Sequence, residues 1–109
     1  MAVGVRSRKI LDGTSVGEGN IGTYTVPEGR TLIVKSASVF NNGAGSANST
    51  LYYSSGGDVF LDYRAVPSNT GFQLELWAVL NAGDELIYFV NTADVSINIS
   101  GTLLIGVSA

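Results

Sequence analysis

The chain has 109 residues, enough for one domain that buries a core of its own. It contains no Cys and no His, which excludes disulfides and thiolate zinc sites and removes the commonest general base and metal ligand. Charged residues reach only 14%, Gly numbers 14 and the formal net charge is −3, a composition of strands and turns rather than of helices or disorder.

Residues 1–20 show no sustained period. Arg6, Arg8 and Lys9 are half of the six basic residues, and DGTSVGEGN (12–20) is rich in turn formers. From Ile10 onward three basic residues stand against all nine acidic ones, so an arm of about +3 precedes a body of about −6. The expectation is an extended arm or loosely held first strand over 1–20, followed by a β-sandwich domain over 21–109. MAVGVRSRKILDG lacks the apolar stretch of a secretory leader, and no run approaches the ~18 apolar residues of a membrane span. A soluble chain with no membrane partner is expected.

Period-2 alternation dominates after Ile21. DVFLDY sets Val59, Leu61 and Tyr63 against Phe60 and Asp62. GFQLELW sets Phe72, Leu74 and Leu76 against Gln73, Glu75 and Trp77, and DVSINIS sets Val95, Ile97 and Ile99 against Ser96, Asn98 and Ser100. Such patterns mark half-buried strands with one wet face. Turn signals separate them: PEG (27–29), NNGAGSAN (41–48), SSGGD (54–58), PSNTG (67–71) and NAGD (81–84). The reading is all-β, an antiparallel β-sandwich of seven to eight strands. Two runs, 31–40 and 84–90, are apolar on both faces in places. Either a bulge shifts their register, or one face is left for a partner.

Residues suited to chemistry are few. The carboxylate pairs Asp58 with Asp62 and Asp84 with Glu85 read as turn residues or polar strand faces, and no nucleophile has an activating base, so no enzyme is expected. NTAD (91–94) and SSGGD could offer oxygen ligands but lack the dense acids of a calcium loop, so no metal or cofactor is expected. Arg6, Arg8 and Lys9 are too few to hold nucleic acid beside an acidic body, and docking on an acidic protein surface suits them better. Tyr52 and Tyr53 are neighbours and must point to opposite faces of a strand. Trp77 either shares the Gln73/Glu75 face, if the alternation holds, or reaches the core through a bulge near WAVL. These three aromatics are the candidates for protein or sugar contact.

YTVPEGRTLIVKSASVFNNGAGSANSTLYY together with FQLELWAVLNAGDELIYFVNTADVSINISGTLLIG resembles small jelly-roll-like β-sandwich proteins of tailed-bacteriophage virions. The residues that carry the resemblance are Val26, Pro27 and Gly29 in a V-P-x-G turn, and Val39 and Asn41 at a strand end. Leu80, Ala82, Gly83 and Asp84 form an L-x-A-G-D turn, and Val95 to Ile105 an apolar final strand. The resemblance implies a head decoration (cement) protein that binds between capsomers and stabilises the head. Its partners would be the major capsid protein and two further copies of itself in a homotrimer, and its place the capsid surface of a virion made in a bacterial cytoplasm. A carbohydrate- or receptor-binding module, or a small neck or tail component, is the alternative.

Overall fold

The computed structural model describes residues 7–105. Eight strands follow one another: β1 Ser7–Thr14, β2 Gly19–Thr25, β3 Arg30–Asn41, β4 Ala47–Ser54, β5 Asp58–Val66, β6 Thr70–Asn81, β7 Glu85–Val90 and β8 Val95–Ile105. They form two antiparallel four-stranded sheets, β1-β8-β3-β6 (sheet A) and β2-β7-β4-β5 (sheet B). The pairs β4–β5, β3–β6, β2–β7 and β1–β8 are nested around the Ser55–Gly57 turn. The chain is thus one long hairpin rolled into two layers, which is the jelly roll.

The rolled hairpin accounts for the two glycine turns, each leading into an apolar strand, at 26–29 and 80–84. The V-P-x-G turn joins β2 to β3 and the L-x-A-G-D turn joins β6 to β7, on the two opposed arms of the same ladder. Both arms must cross between sheets at the same place. There the Val26 N–H donates to the Asp84 carbonyl and the Gly83 N–H to that of Val26, each at 2.9 Å. Gly29 and Gly83 take φ of 75° and 89°, which a side chain would strain. The Asp84 carboxylate is buried and accepts the Asn81 N–H at 2.8 Å, which closes the second turn.

The core lies between the sheets and is built from alternate residues: Leu80 on β6, Leu86, Tyr88 and Val90 on β7, and Val95, Ile97 and Ile99 on β8. On β3 the inward set changes phase, from Leu32 and Val34 to Ala37 and Val39. A bulge at Lys35 causes this, since Val34 pairs with Gly101 and Ser36 with Ser100. The register shift thus carries Ala37 and Val39 into the core, one of the two expected readings, while Phe40 stays exposed on the outer face and Ile33 is only half-buried. Asn41 closes the strand: fully buried, its Nδ2 donates to the Gly45 and Val66 carbonyls at 2.9 Å each, and its Oδ1 accepts the Gly43 N–H at 2.8 Å.

Two expectations need correction. Of the extended arm and the loosely held first strand expected over 1–20, the strand is what 7–14 forms, so the sandwich begins before residue 21. Ser7–Thr14 is the outer strand of sheet A, in register with β8 from Ser7 opposite Thr102 to Thr14 opposite Ser96. Ile10 and Leu11 both pack against the core, and Ile10 is a bulge residue, which is why no period shows there. On β5, Leu61 is an extra residue between the Leu51–Asp62 and Tyr52–Phe60 pairs, and it reverses the faces that follow. Tyr63 points out of the sandwich, and Asp62 points in.

Candidate functional site

The outer face of sheet B carries the chain's clearest departure from an ordinary wet face. Two rows cross it in register. One runs Thr23, Ile87, Tyr52, Phe60; the other runs Asn20, Phe89, Thr50, Tyr63. Phe60 is 64% and Tyr63 69% exposed. Tyr52 leans on Phe60, with ring centroids 5.5 Å apart and planes tilted by 41°. Thr50 lies between Phe89 and Tyr63 and is only 8% exposed, so the flanking rings close over it. At roughly 200 Å² per aromatic side chain, Phe60 and Tyr63 leave about 250 Å² uncovered before Tyr52, Ile87 and Phe89 are added. With those three side chains the patch approaches the few hundred Å² of the largest apolar patch on an ordinary monomer, a size that is often functional.

The patch exists because β7 is apolar on both faces and occupies an inner position in sheet B. Leu86, Tyr88 and Val90 fill the core, which leaves Ile87 and Phe89 for the outer face. The bulge at Leu61 then brings Tyr63 to the same side as Phe60. Phe60 was legible as outward-facing from alternation; Tyr63 was not, because nothing in DVFLDY marks the bulge.

The inner side of β5 makes a different use of charge. Arg64 donates to Asp62 through Nε at 3.0 Å and through Nη2 at 2.8 Å, and its guanidinium lies 3.9 Å from the centre of the Phe72 ring. The hydrogen bonds to Asp62 raise the Arg64 pKa against the opposing effect of burial. The pair closes the gap between the edge strands β5 and β6. An inward-facing ion pair on an edge strand also resists pairing with another chain's edge. It is a structural device, with no open space beside it for a substrate.

The sequence candidates are distributed over both sheets. Tyr52 belongs to the aromatic patch. Tyr53 points to the opposite side, as adjacency requires, and packs against the core. Trp77 is 68% exposed on the outer face of sheet A, with the Lys35 ammonium 5.6 Å from its ring centre. Tyr52 and Trp77 therefore cannot serve one site. Lys9 pairs with Asp12 at 3.3 Å, both side chains more than half exposed, a contact of small energetic weight. Arg8 is placed in β1 opposite Gly101, and Arg6 lies outside the described residues. Among the described residues no three of His, Cys, Asp or Glu gather into a group that could hold a metal ion.

No family model matches the chain, and no curated protein does. Solved structures with a similar course of the chain include "Crystal structure of PirA", at 14% identity and TM-score 0.49 over 94% of this chain and 95% of that one. A chain of the infectious bursal disease virus Gx strain matches at 14% identity and TM-score 0.46, over 93% of this chain and 32% of its own length. The Podospora anserina GH26-CBM35 β-(1,4)-mannanase matches at 14% identity and TM-score 0.44, over 99% of this chain and 29% of that one. This chain thus spans about a third of the last two. Likenesses at this level do not carry an assignment of function.

Proposed function

We propose that the protein is a structural component of a tailed-phage virion, a head decoration protein that associates as a homotrimer and binds between capsomers of the major capsid protein. The observation that carries the reading is the aromatic face of sheet B. Tyr52, Phe60 and Tyr63 project from a rigid, well-packed sheet, and the polar Thr23, Asn20 and Asp58 lie around them. An aromatic centre within a polar rim is the anatomy of a protein contact. We assign this face to neighbouring copies of the same chain. Arg6, Arg8 and Lys9 are assigned to an acidic surface of the shell. The protein has no catalytic role in this reading. The motif resemblance supplies the phage setting.

The test uses the full chain, the Phe60→Ser/Tyr63→Ser double variant, and empty shells of the major capsid protein encoded in the same genome. Light scattering of the wild type should give about 34 kDa, three times the 11.4 kDa chain. The protein should also sediment with the shells. The double variant should be monomeric and lose most of its shell binding while still melting cooperatively, its melting temperature lowered only by the lost association and independent of protein concentration. A monomeric wild type that fails to sediment with the shells contradicts the proposal.

A further inference from the structure

We infer that the outer face of sheet A is a binding site for a neutral oligosaccharide, held between Phe40 and Trp77. The inference is independent of the role assigned to sheet B. It rests on the register of four strands. One row of this face runs Gln73, Ser38, Asn98, Asp12, and the next runs Glu75, Ser36, Ser100, Lys9. In these rows the central strands supply Ser36, Ser38, Asn98 and Ser100, and the outer strands the longer Gln73, Glu75 and Lys9 with Asp12. The result is a valley along β3 and β8 with raised edges. Its middle is a depression of ≈ 280 Å³ over Ser36, Ser38, Gln73, Asn98 and Ser100, and two further depressions adjoin it at Ser38.

Each end of the valley has an aromatic surface. Phe40 is 44% exposed and pairs with Gly71, and its ring occupies the space above that glycine. A Cβ on Gly71 would stand 2.7 Å from Phe40 Cδ2, so the missing side chain is what lets the ring lie down against the sheet. Trp77 stands at the other end beside the Lys35 bulge. The distance from Phe40 to the bulge is five residues along β3, about 16 Å of strand.

This arrangement suits a sugar chain better than the other occupants a sheet face could have. Hydroxyls and amides in the valley can exchange hydrogen bonds with sugar hydroxyls, and flat aromatic surfaces stack on the apolar faces of the rings. Lys9 pairs with Asp12, and Lys35, whose ammonium lies over the Trp77 ring, is matched in number by Glu75, which makes no ion pair among the described residues. The valley thus has no surplus positive charge for phosphate or a polyanion. It also lacks the continuous apolar centre that a protein contact needs and that sheet B has.

Trp77 is the only tryptophan, so its emission reports on this site directly. The full chain should be titrated with cellohexaose, maltohexaose and chitohexaose, with a hexamer of galacturonic acid as the anionic control. At least one neutral hexasaccharide should shift the emission and bind by calorimetry with Kd of about 1 mM or tighter. By calorimetry Trp77→Ala should weaken that binding by about tenfold or more, and Phe40→Ala and Asn98→Ala by several-fold. Val16→Ser, on the exposed β1–β2 loop, should bind as the wild type does. Melting curves within a few degrees of wild type establish that the variants are folded. The inference is overturned if none of the neutral hexasaccharides binds at 5 mM, if only the anionic one does, or if Trp77→Ala and Phe40→Ala bind unchanged. A Trp77 emission shift on trimer formation or shell binding overturns it too, because the face would then be a protein contact.

Discussion

Replacing Asn41 with Ala removes one side chain and leaves three backbone groups without partners. The carbonyls of Gly45 and Val66 lose the Nδ2 donor, and the Gly43 N–H loses the Oδ1 acceptor. An unpaired buried group costs about 1–3 kcal/mol. The Val66 contact is fully buried, while water can reach the other two in part. Counting about 1 kcal/mol for each gives a loss of about 3 kcal/mol. For a chain of this size that is a fall of roughly 10–20 °C in Tm. Urea unfolding followed by circular dichroism measures the loss, with Asn41→Asp as a second variant. A carboxylate there keeps the Gly43 contact but faces two carbonyl oxygens, so burial and repulsion raise its pKa above the unfolded value of about 3.9. The sign follows from linkage: the unfolded state binds fewer protons between the two values. The Asp variant should therefore be least stable at neutral pH and recover, relative to wild type, as pH falls toward 4. An Asn41→Ala variant within about 0.5 kcal/mol of wild type would refute the reasoning that this side chain holds the end of β3 to β5.

Deleting residues 1–12 should lower stability by at least about 3 kcal/mol, because most of β1 and the half-buried Ile10 and Leu11 go with it; an unchanged melting curve would restore the reading of this segment as an arm. Tyr88 is fully buried and shares a 2.7 Å hydrogen bond with Ser49, and burial raises its pKa above 10 despite that bond, with Asp62 adding to the rise. Its folded pKa lies above the unfolded one, so its contribution to stability is complete below pH 10 and is lost as pH rises beyond it. Absorbance at 295 nm should show one of the five tyrosines ionising only with unfolding, and Tyr88→Phe should abolish that phase at a cost of about 1–2 kcal/mol.

Where alternation was unbroken, the sequence was legible residue by residue. GFQLELW placed Phe72 and Leu74 inward, and DVSINIS placed Val95, Ile97 and Ile99 in the core. Alternation alone leaves Trp77, beside the register shift of β3 and β6, open between the outer face and the core, and the fold puts it outside. The errors sit at bulges. Ile10 hid β1, and Leu61 sent Tyr63 outward and Asp62 inward. Neither bulge carries a Gly or another local mark. Each arises because the partner strand must keep its own phase, which is information held elsewhere in the chain. The doubly apolar β7 was visible as Leu86 to Val90, and a face left for a partner was one of its two readings, but the neighbours that complete the patch were not legible. Ile87 and Phe89 become a contact surface only because Tyr52, Phe60 and Tyr63 stand beside them in the folded sheet. Trp77 and Tyr52 were chosen from the same signal, exposed aromatic character, and only the fold shows that they face opposite ways.

The central claim is that this protein decorates a phage head through a trimer built on the sheet B face. A cryo-electron-microscopy reconstruction of the cognate shells after incubation with the protein tests it most directly. The account predicts density for three copies at local symmetry points between capsomers, with Tyr52, Phe60 and Tyr63 buried against neighbouring copies. Shells that remain bare at saturating protein, or bound copies whose aromatic face is turned to solvent, would contradict it.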